Sequence, residues 1–334
     1  MSVAEIRELV ASVLVAHGLS SSNADIISEV VSGAERDGTI NSGLLRVPGY
    51  VATLKSGWVD GNATPVIEDI ASGSLAVDAR NGFAQIALSA ARDELTRKAR
   101  TAGIASAAIR NSHHFGALYS DVEPFSDEGF VAISLVNSRS RLVPSGGITK
   151  LFGTNPMAFA CPRAGGLSVV FDQASSVLSQ GEVLLAARDG KSLPDGVGLD
   201  AMGRPTNDPH AVLDGGSLLP FGGYKGSNIA LMVELLAAAV TGAEFGFEDK
   251  SSAFAGAQSS RTGQLVIVID PERLAGPRFR SRVEKLLLRI SGNGVARIPG
   301  ERRRLAREEA NKNGVEVRQS VIEELQALLD EARH

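Results

Sequence analysis

Ile104-Ala-Ser-Ala-Ala-Ile109 runs directly into Arg110-Asn-Ser-His-His-Phe-Gly116, and that junction decides the fold class. A short apolar run, with Gly103 before it and a polar segment behind it, reads as a strand of a buried sheet that ends in a functional loop. Upstream, Ala84 to Ala102 is predicted as a helix that Gly103 stops. Other short apolar runs have the same texture: Val131 to Val136, Met157 to Ala160, Val169 to Phe171 and Leu265 to Ile269, all bounded by Gly, Pro, Asn or Ser. Leu75-Ala-Val-Asp-Ala79 predicts one more strand, and helices are predicted between strands at Val177 to Ala187 and Ile229 to Thr241.

Both chain ends read differently. Val3 to His17 is a helix closed by Gly18, and a second helix opens at Ser22 with Asp25 in capping-box spacing. Ile26, Ile27, Val30, Val31 and Ala34 give that helix one apolar face. After Pro48, the residues Gly57, Gly61 and Pro65 punctuate a connection. At the carboxy end, Phe279 to Arg289 and a last helix capped at Ser320 with Glu323 restore the helical pattern. The order helix-rich, mixed, helix-rich predicts an α+β protein in which residues 1–75 and 276–334 pack as one helical domain around a central sheet domain, 76–275.

At 334 residues, 43% hydrophobic and 22% charged, the chain has an ordinary globular composition, which excludes a disordered or fibrous protein. A formal net charge of −4 supplies no general attraction to phosphate backbones, so no nucleic-acid partner is expected. The longest apolar runs, such as Ala230 to Val240, are too short or too interrupted to span a bilayer, and the amino terminus lacks a signal layout. A cytoplasmic protein without a membrane partner is therefore expected. One cysteine, Cys161, rules out an intrachain disulfide and a thiolate metal site.

No strand-linked G-x-G-x-x-G opens a helix, and no G-x-x-x-x-G-K-[ST] is present, so both usual phosphate cradles are missing. Two other anion-binding signals remain. Phe221-Gly-Gly-Tyr-Lys-Gly226 sets Tyr224 and Lys225 among glycines ahead of an apolar helix; a plain turn is the alternative. Arg297-Ile-Pro-Gly-Glu-Arg-Arg-Arg304 is the densest basic patch. A helix starting after Gly300 would put its arginines at the positive end of the dipole, a conflict that a bound phosphate relieves, although a solvated charged face has the same composition.

Of the five histidines, His113 and His114 lie in the polar loop after the Ile104 strand, and neighbours on a regular element cannot both face one ligand. No metal site is expected there; one histidine is expected to reach a ligand and the other to be structural. Arg46 offers a guanidinium fork suited to a carboxylate, against the alternative of a surface ion pair. Thr154, Asn155 and Asp172 stand at strand ends, where ligand contacts gather.

Five blocks together, Arg36-Asp-Gly38 through Leu44-Leu-Arg-Val-Pro-Gly-Tyr50, Asn111 to Gly116, Leu151-Phe-Gly-Thr-Asn-Pro156, Phe171-Asp172 and Leu219 to Gly226, resemble the malate/L-lactate dehydrogenase-like family, which is distinct from the common lactate and malate dehydrogenases. Gly57-Trp-Val-Asp-Gly61, Asp121-Val-Glu-Pro124 and Pro299-Gly-Glu-Arg-Arg303 are similar to its cyclic-imino-acid reductases, which reduce Δ1-piperideine-2-carboxylate and Δ1-pyrroline-2-carboxylate to pipecolate and proline. The resemblance covers almost the whole chain. It implies a non-Rossmann fold with a largely antiparallel sheet for the cofactor, a helix-rich part for substrate and dimer contacts, a homodimer, and NADPH ahead of NADH.

Position by position, the resemblance implies substrate contacts for Arg46 and Thr154. It implies cofactor contacts for His113, His114, Phe115, Gly116 and Ala117, for Asp172, Gln173 and Ala174, and for Tyr224 and Lys225. The same role falls on Arg297, Pro299, Gly300, Glu301, Arg302 and Arg303. Its catalytic positions fall on Asn41, Ser42 and Glu182. Here the chain departs from the pattern: the family reads Ser-His-Gly where this sequence has Asn41-Ser-Gly43, so the proton-donating histidine is replaced by Ser42, with Glu182 as the acidic partner of the relay.

A serine hydroxyl is too weak an acid to replace an imidazolium directly. Reducing a ketone creates an alkoxide that needs a proton in the transition state, and losing the acid costs on the order of 10²–10⁴-fold. A cyclic imine arrives already protonated from water. The substitution favours an imino acid as the small-molecule partner over an oxo acid; a malate/lactate-type 2-hydroxy-acid dehydrogenase and a catalytically impaired cofactor-binding homologue are the alternatives.

Overall fold

The main sheet is built from β1 (Val66–Ala71), β2 (Ser74–Asp78), β3 (Ile104–His113), β4 (Val131–Val136), β5 (Met157–Cys161), β6 (Val169–Gln173) and β10 (Arg261–Ile269), in a computed structural model that describes residues 1–166, 168–294 and 297–332. These seven strands lie in the spatial order β1-β2-β3-β10-β4-β5-β6. Only β2 and β3 run parallel; every other neighbouring pair is antiparallel. Three two-residue strands, β7 (Gly198–Leu199), β8 (Pro205–Thr206) and β9 (Ser217–Leu218), make a small separate sheet.

The helices that open the chain are α1 (Val3–Ala16) and α2 (Ser21–Arg36), followed by α3 (Val47–Lys55). Their apolar faces meet Phe83, Ile86 and Phe115, and α12 (Gln319–Glu331) adds Val321 and Leu325 to the same cluster. The chain ends therefore pack together, as the helix-rich ends predict. Under the sheet lies α4 (Ala84–Ala102), whose small buried residues Ala87, Ala91 and Ala99 let its backbone settle against Ala105 and Ala107 of β3. Fully buried Leu95 fills that contact, and such burial stabilises by roughly 1.5–3 kcal/mol. Also against the sheet is α5 (Tyr119–Asp127), through Val122 and Phe125.

Several expected boundaries move. The amino cap of α2 is Ser20, which accepts from Asn23 N, so the Ser22–Asp25 box does not form; likewise Arg318, not Ser320, precedes α12 and no side chain caps it. The segment after Arg46, read as a connection, is α3: Pro48 sits in its first turn, where a missing N–H costs nothing. The strand β1 and helix α5 were not expected from their patterns; β1 is exposed along its length and α5 contains Pro124. The helix expected from Val177 is α6 (Gln180–Arg188), and that expected from Ile229 is α8 (Tyr224–Glu234), prolonged by a π-turn at Leu235–Ala239. Strands β1 and β2 already belong to the main sheet, so the sheet begins ahead of residue 76.

The remaining helices are α7 (Pro209–Leu213), α9 (Pro271–Ala275), α10 (Phe279–Ser291) and α11 (Glu301–Asn313). As expected, α11 starts after Gly300, which is left-handed at φ 99°. Buried Asp37 ties this helix to the rest: it accepts from Arg307 Nε at 2.9 Å and from Tyr119 Oη at 3.1 Å. Burial pushes the Asp37 carboxyl up, but Arg307 and Arg36 outweigh it and hold it below its ordinary value. Among the described residues, no helix is long and apolar enough to cross a membrane.

Candidate active site

Two consecutive 3-10 turns, Ile40–Ser42 and Leu44–Arg46, join α2 to α3 and present Asn41, Ser42 and Arg46 to a cavity of about 560 Å³. The turns are held by Glu35, whose buried carboxylate accepts from Leu44 N at 2.7 Å. A Cβ at position 43 would stand 2.6 Å from Glu35 Oε1, so a larger residue there would displace that carboxylate. Facing these turns, β3 ends in a bulge where Arg110 and Asn111 stand opposite Gly263 alone, with Asn111 left-handed at φ 52°. Such a bulge re-aims the following residues. It delivers His114, Phe115, Gly116 and Ala117 to the cavity wall.

The end of β6 contributes Asp172, Gln173 and Ala174, and the first turns of α11 contribute Arg302 and Arg303. Thr154 comes from the β4–β5 connection. Its place is set by Asn155, a buried residue at φ 40° that donates to Glu234 Oε2 at 2.7 Å and to the Ala230 carbonyl at 2.9 Å. One cavity therefore gathers Asn41, Ser42, Arg46, Thr154, Glu182 and the His114 and Asp172 segments, from parts of the chain more than a hundred residues apart.

Other positions fall elsewhere. His113 is the structural histidine of the pair: fully buried, it bonds Ser259 Oγ at 2.9 Å and Asn81 Oδ1 at 3.0 Å, and burial pushes its pKa down to about 3, so it stays neutral. His114 instead lines the cavity, with Nε2 3.1 Å from Asp121 Oδ2. Tyr224 and Lys225 stand exposed at the start of α8, outside the cavity wall, and Arg297 is exposed too. Pro299, Gly300 and Glu301 line an adjoining hollow of about 320 Å³ that shares Arg303 with the main cavity. There Arg303 lies over the Tyr119 ring at 4.4 Å and donates to the Val170 carbonyl at 2.7 Å.

No hydrogen bond joins Ser42 to Glu182 among the described residues. Glu182 occupies the third position of α6 and closes a capping box with Ser179, whose N–H it accepts at 2.7 Å. Ser42 makes no side-chain hydrogen bond among the described residues. No His/Cys/Asp/Glu group there could hold a metal ion.

Two arginines were missed. Arg139 and Arg141, just past β4, line the same cavity, and the signal available for them was the Arg-Ser-Arg spacing, which puts both on one side of an extended segment. Arg46 is as unusual: its Nε is buried without a partner, and burial pushes the guanidinium below its ordinary pKa. A guanidinium held without a carboxylate is poised for an anionic ligand.

Asp172 gives the cavity a pH-dependent charge. Burial chiefly, helped by Asp121, raises its carboxyl to about 6 against the pull of the Tyr119 N–H, Arg303 and His114. The folded protein therefore holds this proton more tightly than the unfolded chain, and the group's contribution to stability falls as pH rises from about 4 to about 6. Asp172→Asn keeps an oxygen for Tyr119 N and is expected to remove that slope, gaining about 1–2 kcal/mol at pH 7 once solvent screening is discounted. Denaturant titrations of both proteins at pH 4.5 and 7 measure it; equal slopes would show that Asp172 ionises without penalty.

The seven-stranded, largely antiparallel sheet, the cavity at its strand ends and the unpartnered Arg46 in its wall suit a small anionic ligand. The chain belongs to the malate/L-lactate dehydrogenase family, whose model matches residues 1–326. It is 51% identical over 328 residues to the Δ1-pyrroline-2-carboxylate/Δ1-piperideine-2-carboxylate reductase of Pseudomonas syringae pv. tomato, covering 98% of this chain and 96% of that protein. The enzyme of the same name from Pseudomonas putida is also 51% identical, over 97% of this chain and 95% of its own. The crystal structure of the Δ1-piperideine-2-carboxylate reductase from Pseudomonas syringae superposes with a TM-score of 0.96, covering 98% of this chain and 99% of that one.

Proposed function

We propose that this chain reduces cyclic 2-imino acids, Δ1-pyrroline-2-carboxylate and Δ1-piperideine-2-carboxylate, to the corresponding amino acids with NADPH. The observation that carries the reading is a cavity in which an unpartnered Arg46 stands beside Ser42, while Glu182 is engaged with Ser179. The relatives at 51% identity carry the names of such reductases.

The residues present suit a nicotinamide dinucleotide. Arg302 and Arg303 line the cavity with no carboxylate partner among the described residues, and the second hollow extends the site beyond Arg303. When bound, the cofactor supplies a hydride to the substrate's electrophilic carbon. Arg46 holds the substrate carboxylate by a charge-assisted, bidentate-capable contact and so orients the C=N carbon. Thr154 gives a second polar contact. The imine nitrogen brings its own proton from solvent, so the amine forms without an acid at position 42, whereas an alkoxide would lack one. In the same reading the protein is a cytoplasmic homodimer, with residues 1–75 and 276–334 in substrate and dimer contacts and 76–275 holding the cofactor.

The deciding experiment follows absorbance of NADPH and of NADH with both imines, pyruvate and oxaloacetate. Turnover is expected to be largest on an imine, and NADPH is expected to bind at least about tenfold tighter than NADH, because surplus arginines favour an extra phosphate. Faster turnover on an oxo acid would overturn the substrate, and tighter NADH binding the cofactor.

A further inference from the structure

Arg46, Arg139 and Arg141 line one cavity, and none of the three forms an ion pair within 4.0 Å among the described residues. Among the described residues Arg46 and Arg141 have no side-chain hydrogen bond, and the side chain of Arg139 makes only a long 3.5 Å approach to Ser251 Oγ. They feel one another: Arg139 and Arg46 both act unfavourably on Arg141, which burial and these two neighbours push down to about 9. The one acidic group acting on Arg141 is Asp249, whose Oδ1 is itself buried without a partner. The cavity wall sets Arg46, Arg139, Arg141, Arg302 and Arg303 against the carboxyls of Asp172 and Glu182, with Asp249 nearby, and this leaves a positive surplus that a monocarboxylate only partly neutralises.

That surplus bears on the chemistry. A protonated imine is itself a cation, and uncompensated guanidiniums at close range disfavour it. Buried charge of one sign is retained at a site when a ligand of the opposite sign completes it. A second anionic group on the substrate would neutralise the arginines left over by the first carboxylate and restore a favourable field for the protonated nitrogen.

We propose that Arg139 and Arg141 form a second anion site beside Arg46, and that the preferred substrates are cyclic 2-imino acids carrying a second carboxylate. This rests on the imine reading above, so two measurements separate the claims. The first compares kcat/KM for Δ1-piperideine-2-carboxylate and Δ1-piperideine-2,6-dicarboxylate in the native enzyme, Arg141→Met and Arg139→Met. The second titrates the same three proteins with pyridine-2-carboxylate and pyridine-2,6-dicarboxylate, planar probes that need no turnover.

The dicarboxylates are expected to be favoured by at least about tenfold, a preference worth one charge-assisted contact, and each methionine variant is expected to lose that preference, with the larger loss on the dicarboxylate. Equal or better use of the monocarboxylates by the native enzyme would overturn the second site. So would an equal loss on both ligands in the variants, which would make these arginines part of the first carboxylate's clamp. Absence of imine turnover would sink the reductase reading alone, since the pyridine titrations still decide whether a second anion binds.

Discussion

Arg46→Met is expected to lower kcat/KM for a cyclic imino acid by on the order of 10²–10³-fold and, in the same protein, to raise Tm. The loss follows from removing one partner of a desolvated charge pair, which costs roughly 2–5 kcal/mol. The gain follows from the free state, where Arg46 Nε is buried without a partner and burial already presses the guanidinium toward neutrality. Replacing a half-buried, unpaired guanidinium by an apolar side chain of similar length removes that penalty, and an increase of about 1 kcal/mol, about one to two degrees for a chain of this length, is expected. Kinetics with a thermal melt of the ligand-free enzyme measure both. A fall in Tm alongside the lost activity would mean that Arg46 holds the fold, and unchanged kinetics would remove it from the substrate site.

Ser42→His is expected to raise reduction of a 2-oxo acid by about 10²-fold and to change imine reduction by less than about threefold, because only the ketone needs a proton delivered in its transition state. The gain is placed at the low end of general acid catalysis for a structural reason. Glu182, which would orient the new imidazole, is held by Ser179 in the capping box of α6. Steady-state rates on pyruvate and on Δ1-pyrroline-2-carboxylate decide it; a Ser42→His enzyme no faster on pyruvate would show that the missing acid does not set substrate choice.

How much of this was legible beforehand varies with the kind of signal. Ala84 to Ala102 and Val131 to Val136 were read from the sequence with the same ends the structure has, because punctuation by Gly103 and short branched runs are local effects. The helix α3 was missed because Pro48 reads as a breaker unless its place in the first turn is known. Strand β1 was missed because both of its faces are exposed, leaving no alternation to see; it is defined by its pairing with β2. Likewise Ser20 and Ser22 are both competent caps, and the choice depends on where the chain turns after Leu19.

The site divides in the same way. By itself the sequence determined the α+β class, the absence of the usual phosphate cradles and Arg46 as a carboxylate candidate, since these depend on residue type, period and motif; Ser42 in place of an acid is what the family resemblance implies. The tertiary structure decided which histidine is sealed against Ser259 and Asn81 and which lines the cavity, that Glu182 turns onto Ser179, and that Arg139 and Arg141 converge on Arg46. Residue identity sets what a side chain can do; burial and the company brought by distant segments set what charge it carries and what it can reach, and those quantities exist only once the chain has folded.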